Sequence, residues 1–106
     1  MVQESSYDQV VALVRLKESV AVFLYVDDNP FCHRSRSVLS MFGDRLRALG
    51  YHVLAVPVDE RSSHYEEVSC VRVPQLRLFN KGRLRLKLTG LLTCEELEAA
   101  MPKAVR

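Results

Sequence analysis

The chain lacks tryptophan, and its three cysteines, Cys32, Cys70 and Cys94, are odd in number and too far apart to build a disulfide framework. No two of them form a Cys-x-x-Cys pair and no Cys/His spacing suits a zinc site, so neither a metal nor another cofactor is expected. A large excess of one charge is also missing. With 15 Lys and Arg against 13 Asp and Glu, the net charge of +2 argues against nucleic acid as the main ligand. No apolar run approaches the roughly 18 to 20 residues that cross a bilayer. The opening Met1-Val2-Gln3-Glu4-Ser5-Ser6 has no charged-then-apolar signal form. These absences lead us to expect a cytoplasmic monomer with no membrane or nucleic-acid partner. What is present is a 48% hydrophobic chain of 106 residues, enough for one domain over residues 1–106 with a single core.

Tyr7, Val10, Val11 and Val14 recur at helical spacing, and Ser6 with Gln9 can form a capping box, which predicts a first helix over residues 6–17. Val20-Ala21-Val22-Phe23-Leu24-Tyr25-Val26 is apolar without alternation, the pattern of a strand buried on both faces of a mostly parallel sheet. Asp27-Asp28-Asn29-Pro30 then reads as loop. A second helix is expected from about Cys32 to Leu49, with Val38, Phe42, Leu46 and Leu49 as its apolar stripe, Gly43 as a weak point and Gly50 as the C-terminal cap. Residues 51–58 make a second strand. Its Pro57 cannot donate to a ladder, which puts the strand at or near a sheet edge or gives it a bulge there.

Ser63 and Glu66 can open a short third helix ending near Ser69. Leu76 to Phe79 and Leu84 to Leu88 flank the turn Asn80-Lys81-Gly82 as an antiparallel hairpin, and the alternation over residues 83–88 predicts one buried and one wet face. After Gly90, Thr93 with Glu96 forms a capping box and Leu92 with Leu97 a hydrophobic staple, opening a last helix from Cys94 to Met101. A βαβ unit followed by a ββα unit gives an α/β fold with one mixed sheet and helices on both faces.

That order, with a cysteine starting the helix after the first buried strand and a proline opening the hairpin, resembles thioredoxin. Pro30-Phe31-Cys32-His33-Arg34-Ser35 is similar to the family's aromatic-Cys-x-x-Cys motif. Val71 to Gly82 resembles its apolar-Pro-Thr strand and Phe-x-x-Gly turn, and Gly90 falls where the family keeps a glycine. The resemblance covers residues 6–101, with 74 − 32 = 42 residues between cysteine and proline. It implies a thioredoxin-like three-layer sandwich with a four- to five-stranded mixed sheet, a cis bond at Pro74 and the Pro74 loop against Cys32. Met1 to Glu4 stand where full-length thioredoxins have an edge strand. Two positions depart from the family: Ser35 replaces the second cysteine, and Val26 stands where thioredoxins carry a buried carboxylate.

In the family's terms Cys32 is the nucleophile and Ser35 its hydrogen-bonding neighbour. The helix end, Arg34, Arg36 and His33 favour a thiolate at Cys32, while Asp27 and Asp28 oppose it. Phe31, His33, Arg34, Val73 and Pro74 would receive substrate, with His33 tuning specificity. Cys70 reads as core filler and Cys94 as exposed and idle. His52 and His64 read as surface residues. Arg77, Arg83, Arg85 and Lys87 read as a charged edge that blocks strand addition, or as a site for an acidic partner.

Two functions follow from the resemblance. One is monothiol thiol–disulfide exchange, an oxidoreductase or isomerase activity in which Cys32 attacks a protein or glutathione disulfide and an external thiol resolves the adduct. No Gly-Gly-Asp segment of the glutaredoxin kind is present. The other is a redox-inactive binding module or assembly chaperone that holds a protein partner on the Phe31/Pro74 face.

Overall fold

The computed structural model describes residues 2–58 and 72–104. Its elements in chain order are β1 (Gln3–Glu4), α1 (Tyr7–Arg15), β2 (Ser19–Tyr25), α2 (Pro30–Ala48), β3 (Tyr51–Pro57), β4 (Gln75–Asn80), β5 (Arg83–Thr89) and α3 (Cys94–Ala104). The third helix expected over residues 63–69, with Cys70 and His64, lies outside the described residues.

The strand β2, apolar from Val20 onward, is the centre of a five-stranded mixed sheet of order β1-β3-β2-β4-β5. It pairs parallel with β3 and antiparallel with β4, so both its edges are used. Successive side chains of a strand point to opposite faces, which explains why no polar residue interrupts this one. Val20, Val22 and Leu24 join Leu54 and Val56 under Val10 of α1. Ala21, Phe23 and Tyr25 join Val53, Ala55, Leu76 and Leu78 under α2 and α3, which contribute Leu39, Phe42, Leu46, Leu97 and Met101. The result is the expected three-layer α/β sandwich.

The sequence expectations need correction at several boundaries. Residues 3 and 4 do form an edge strand, pairing with Leu54 and Ala55 of β3. Val58 donates its N–H to the Tyr25 carbonyl at 2.8 Å. Alternation therefore aims the Pro57 nitrogen to the outer side, beyond the end of β1, where no ladder partner is needed. The proline thus marks a strand next to the edge whose outer neighbour is only two residues long.

The first helix stops at Arg15, two residues before its expected end, because Lys17 adopts left-handed backbone (φ 60°). The second begins at Pro30, not Cys32, because Asn29 caps it. Of the expected stripe Phe42 and Leu46 are buried and Val38 is partly buried against the same core; Leu39 and Gly43 are buried as well, and Leu49 is 43% exposed at the C-cap. The last helix runs past Pro102 to Ala104. In the hairpin, Leu78 faces Leu86 but Phe79 faces Leu84, so Arg85 is the extra residue of a bulge. The bulge breaks the alternation: Leu86 and Leu88 pack on the larger core, while Leu84 is 51% exposed. Lys81 and Gly82, both at positive φ, make the two-residue turn.

Candidate functional site

The C-terminal end of β2 delivers the chain into Val26-Asp27-Asp28 and then into the first turn of α2. Asn29 is the N-cap. Its side-chain oxygen accepts the backbone N–H of Phe31 at 2.8 Å and of Cys32 at 3.2 Å. The Asn29 carbonyl accepts the Cys32 and His33 amides at 3.0 and 3.2 Å. His33 Nε2 lies 2.7 Å from the Asp27 carbonyl oxygen, which can only accept, so that nitrogen carries hydrogen and donates. The amides of the first turn, the groups that would stabilise an anion at a helix start, are therefore already engaged.

Cys32 occupies the third helical position and is 2% exposed. Burial pushes its thiol above the ordinary cysteine value, and a backbone hydrogen bond from Val26 pulls the other way with smaller effect. The sequence left open whether the helix end and its arginines or Asp27 and Asp28 prevail at Cys32; here the largest influence on the thiol is burial. Arg36 does not serve the sulfur either. It forms an ion pair with Glu4 of β1, and its guanidinium lies 5.3 Å from the centre of the Tyr25 ring. Tyr25 in turn donates its hydroxyl to Glu4 at 2.6 Å. Burial and Glu4 together push that phenol up to about 12.

Ser35 is fully buried, and its hydroxyl oxygen accepts the Leu92 N–H at 2.9 Å. It ties α2 to the lead-in of α3, and Val26 and burial are the influences acting on the Cys32 sulfur. Leu92 and Leu97 are both buried, as a hydrophobic staple requires, and the Thr93 hydroxyl oxygen accepts the Glu96 N–H at 3.1 Å.

The other side of the site comes from the loop before β4. The Val73–Pro74 peptide bond is cis, Pro74 is buried, and its carbonyl accepts the Gly90 N–H at 2.9 Å. Val73 is half-buried and packs against the apolar cluster that contains Cys32. Phe31 and Leu91 stand out, 54% and 37% exposed. Arg34 and His33 lie on the exposed side of the first turn. Of the expected site residues, Cys32 and Val73 therefore meet in one cluster, Ser35 is a structural tie, and Phe31, His33 and Arg34 face solvent.

Residues outside the motif were missed by sequence reasoning. Gln75, 5% exposed, follows the proline where the family has threonine. Its amide donates to the Thr89 hydroxyl at 3.1 Å and its carbonyl oxygen accepts Arg77 Nε at 2.5 Å. Asn29 had a signal in the dipeptide Asn29-Pro30, since Asn is a favoured cap and Pro a favoured first helical residue. Cys94, expected to be exposed, is half-buried against the larger core at the start of α3. His52 is exposed, with Nε2 3.9 Å from a Glu18 carboxylate oxygen. Among the described residues no His/Cys/Asp/Glu group is arranged to hold a metal ion, and no helix is long and apolar enough to cross a membrane.

No family model matches this chain, and no curated protein matches it significantly by sequence. Solved structures do match. Thioredoxin from Malassezia sympodialis, a member of a pan-allergen family, is 23% identical, with 100% of this chain and 92% of that one covered and a TM-score of 0.79. The oxidized form of mitochondrial thioredoxin 3 from Saccharomyces cerevisiae is 16% identical over 95% and 93% of the two chains, at a TM-score of 0.75. Chloroplastic thioredoxin z is 14% identical over 97% and 93%, at 0.78. At these identities the likeness concerns architecture, and on that level it is unambiguous: the chain has the thioredoxin fold.

Proposed function

We propose that this chain is a thioredoxin-fold binding module that holds an extended protein segment at the Cys32 end of the sheet, with Cys32 protonated at neutral pH. The observation that carries this reading is the state of the thiol: 2% exposed and pushed above its ordinary value by burial. The thiolate is the nucleophile, so a sulfur held protonated is a poor one. Ser35 offers no second thiol, and Val26 no acid or base. What is kept is the receiving surface. Phe31 and Leu91 are exposed and Val73 is half-buried, and Phe31 is the kind of aromatic anchor that dominates protein interfaces. Chloroplastic thioredoxin z, of the same fold, is described by its type-specific target recognition.

Monothiol exchange is the second reading, favoured by the Val26 backbone hydrogen bond to the sulfur, which stabilises the anion. In that step the Cys32 thiolate attacks one sulfur of a protein or glutathione disulfide. The substrate S–S bond breaks, a Cys32–substrate S–S bond forms, and the second substrate sulfur leaves as a thiolate that takes a proton from water. An external thiol must then attack the mixed disulfide to release Cys32 reduced.

Alkylation of Cys32 across pH, mapped by mass spectrometry, separates the two. A midpoint above the reference of about 8.5, with no adduct formed from glutathione disulfide, supports the module. A midpoint below that value with a rapidly trapped adduct overturns it in favour of exchange. A random peptide array supplies the positive arm. Peptides retained equally by wild type and Cys32→Ser, and lost in Phe31→Asp, are the expected result, whereas binding that needs Cys32 refutes non-covalent docking.

A further inference from the structure

At the opposite end of the sheet from Cys32, about 20 Å away along the seven residues of β2 at strand rise, lies a groove that the proposed docking face does not involve. Its cations are Arg15, Lys17, Lys81, Arg83 and Arg85, and a single carboxylate, Glu18, accompanies them. The whole chain carries only +2, so its positive excess is concentrated here. None of the five cations has a carboxylate within ion-pair distance among the described residues, as is also true of Arg34, Arg77 and Lys87, whereas Arg36, Arg45 and Arg47 are paired.

The groove is built rather than incidental. It lies where the turn after α1 meets the β4–β5 turn. Gly82 donates its N–H to the Glu18 carbonyl at 3.3 Å, and the Lys81 N–H reaches the Ser19 hydroxyl at 3.2 Å. The turns are so close that a Cβ on Gly82 would stand 2.9 Å from the Val14 carbonyl oxygen and 3.2 Å from the Lys17 Cα. Both of the non-glycine residues with positive φ among the described residues are in this groove, and both are lysines, Lys17 at 60° and Lys81 at 53°. Left-handed backbone costs a residue with a Cβ stability, and such residues are retained where something else requires them. Glycine or asparagine would hold either turn at lower cost. Placing a cation at both is explained by what the cations face.

We propose that this groove binds a compact polyphosphate anion. The cations lie on two abutting turns and the bulged start of β5 and line one groove. At about 970 Å³ the groove has the size of a small-ligand site, which is roughly 300 to 1,000 Å³. Guanidinium forks match phosphate oxygens in pairs, and three of the five cations are arginines. No aromatic ring lines the groove, so nothing there stacks on a base, and the phosphate chain is the part recognised.

Calorimetric titration of the whole chain with sodium tripolyphosphate, ATP and hexaglutamate tests this. Saturable tripolyphosphate binding that persists at about 0.1 M salt and exceeds hexaglutamate binding is expected. ATP binding tighter than tripolyphosphate points to a nucleotide as source, and equal or weaker ATP binding to inorganic polyphosphate. The double variant Lys17→Gly/Lys81→Gly keeps both turns, since glycine adopts their backbone freely, and removes both charges. It is expected to bind about tenfold more weakly with a melting temperature close to wild type. Lys87→Gln, on the same hairpin but outside the groove, is expected to bind as wild type does. The proposal is overturned by absence of saturable binding, by hexaglutamate matching tripolyphosphate, or by Lys87→Gln weakening binding as much as the double variant.

Discussion

Replacing Ser35 by alanine isolates a structural role for the position where thioredoxins have their second cysteine. The Ser35 hydroxyl oxygen is the acceptor for the Leu92 N–H at 2.9 Å, and both residues are almost wholly buried. Alanine removes the acceptor and leaves that amide without a partner in a place water does not reach. An orphaned buried donor costs about 1 to 3 kcal/mol. The small void left by the hydroxyl adds little, so we expect a loss near 2 kcal/mol, or roughly 10 °C in melting temperature for a domain of this size. The damage should be local as well as global, because Leu92 immediately precedes the Thr93 cap of α3. Hydrogen exchange is the sharper assay: the Leu92 amide should be protected in wild type and lose much of that protection in Ser35→Ala. Ser35→Cys, whose sulfur is a weak acceptor, should fall between the two when reduced. A melting temperature for Ser35→Ala within about 2 °C of wild type, or unchanged exchange at Leu92, would refute the reasoning.

Tyr25 makes the stability of the chain depend on alkaline pH. Its phenol is held at about 12 against an ordinary 10.0, so the stabilisation is complete below pH 10 and lost as pH rises from there toward 12. Two units correspond to about 2 kcal/mol after allowance for screening, and Tyr25→Phe should flatten that part of the denaturation profile; an unchanged slope in the variant would contradict the assignment. Gly82 and Gly50 form a matched pair, with φ of +83° and +93°. Alanine at Gly50 meets nothing within 4 Å and pays only for its backbone, whereas alanine at Gly82 also strikes the Val14 carbonyl. Gly82→Ala should therefore be less stable than Gly50→Ala by about 1 kcal/mol or more in urea denaturation, and equal losses would show that the abutting turns yield.

Different parts of this molecule were legible in its sequence to different degrees, for reasons that can be named. β2 was plain because burial on both faces disfavours polar residues from Val20 to Tyr25, and so continuous an apolar stretch has few other uses. The cap of α3 was plain because Thr93, Glu96, Leu92 and Leu97 act within a few residues of one another. The start of α2 was misplaced because Asn29-Pro30 suits both a turn and a helix start, and the choice depends on whether the Phe31 and Cys32 amides find the Asn29 oxygen. The bulge at Arg85 left no trace, since Arg83 to Leu88 alternates whichever residue of β4 each one faces.

The state of Cys32 shows most clearly why the site was harder to read than the fold. The arguments for a low pKa were local, resting on the helix start and on two arginines within four residues. The largest influence, burial, is set by the fold: Cys32 lies in one apolar cluster with residues as distant as Leu76 and Leu92, and Val73 packs against that cluster. Arg36, placed to add positive charge, is held instead by Glu4, the second residue of a strand whose existence the sequence left open. That short edge strand therefore does more than extend the sheet. It sequesters a cation near the start of α2, and the same carboxylate accepts the Tyr25 hydroxyl and helps to raise that phenol's pKa. Removing Glu4 would release Arg36 while leaving Cys32 buried. Since desolvation is the largest influence on the thiol, freeing this one half-buried cation should leave Cys32 protonated at neutral pH.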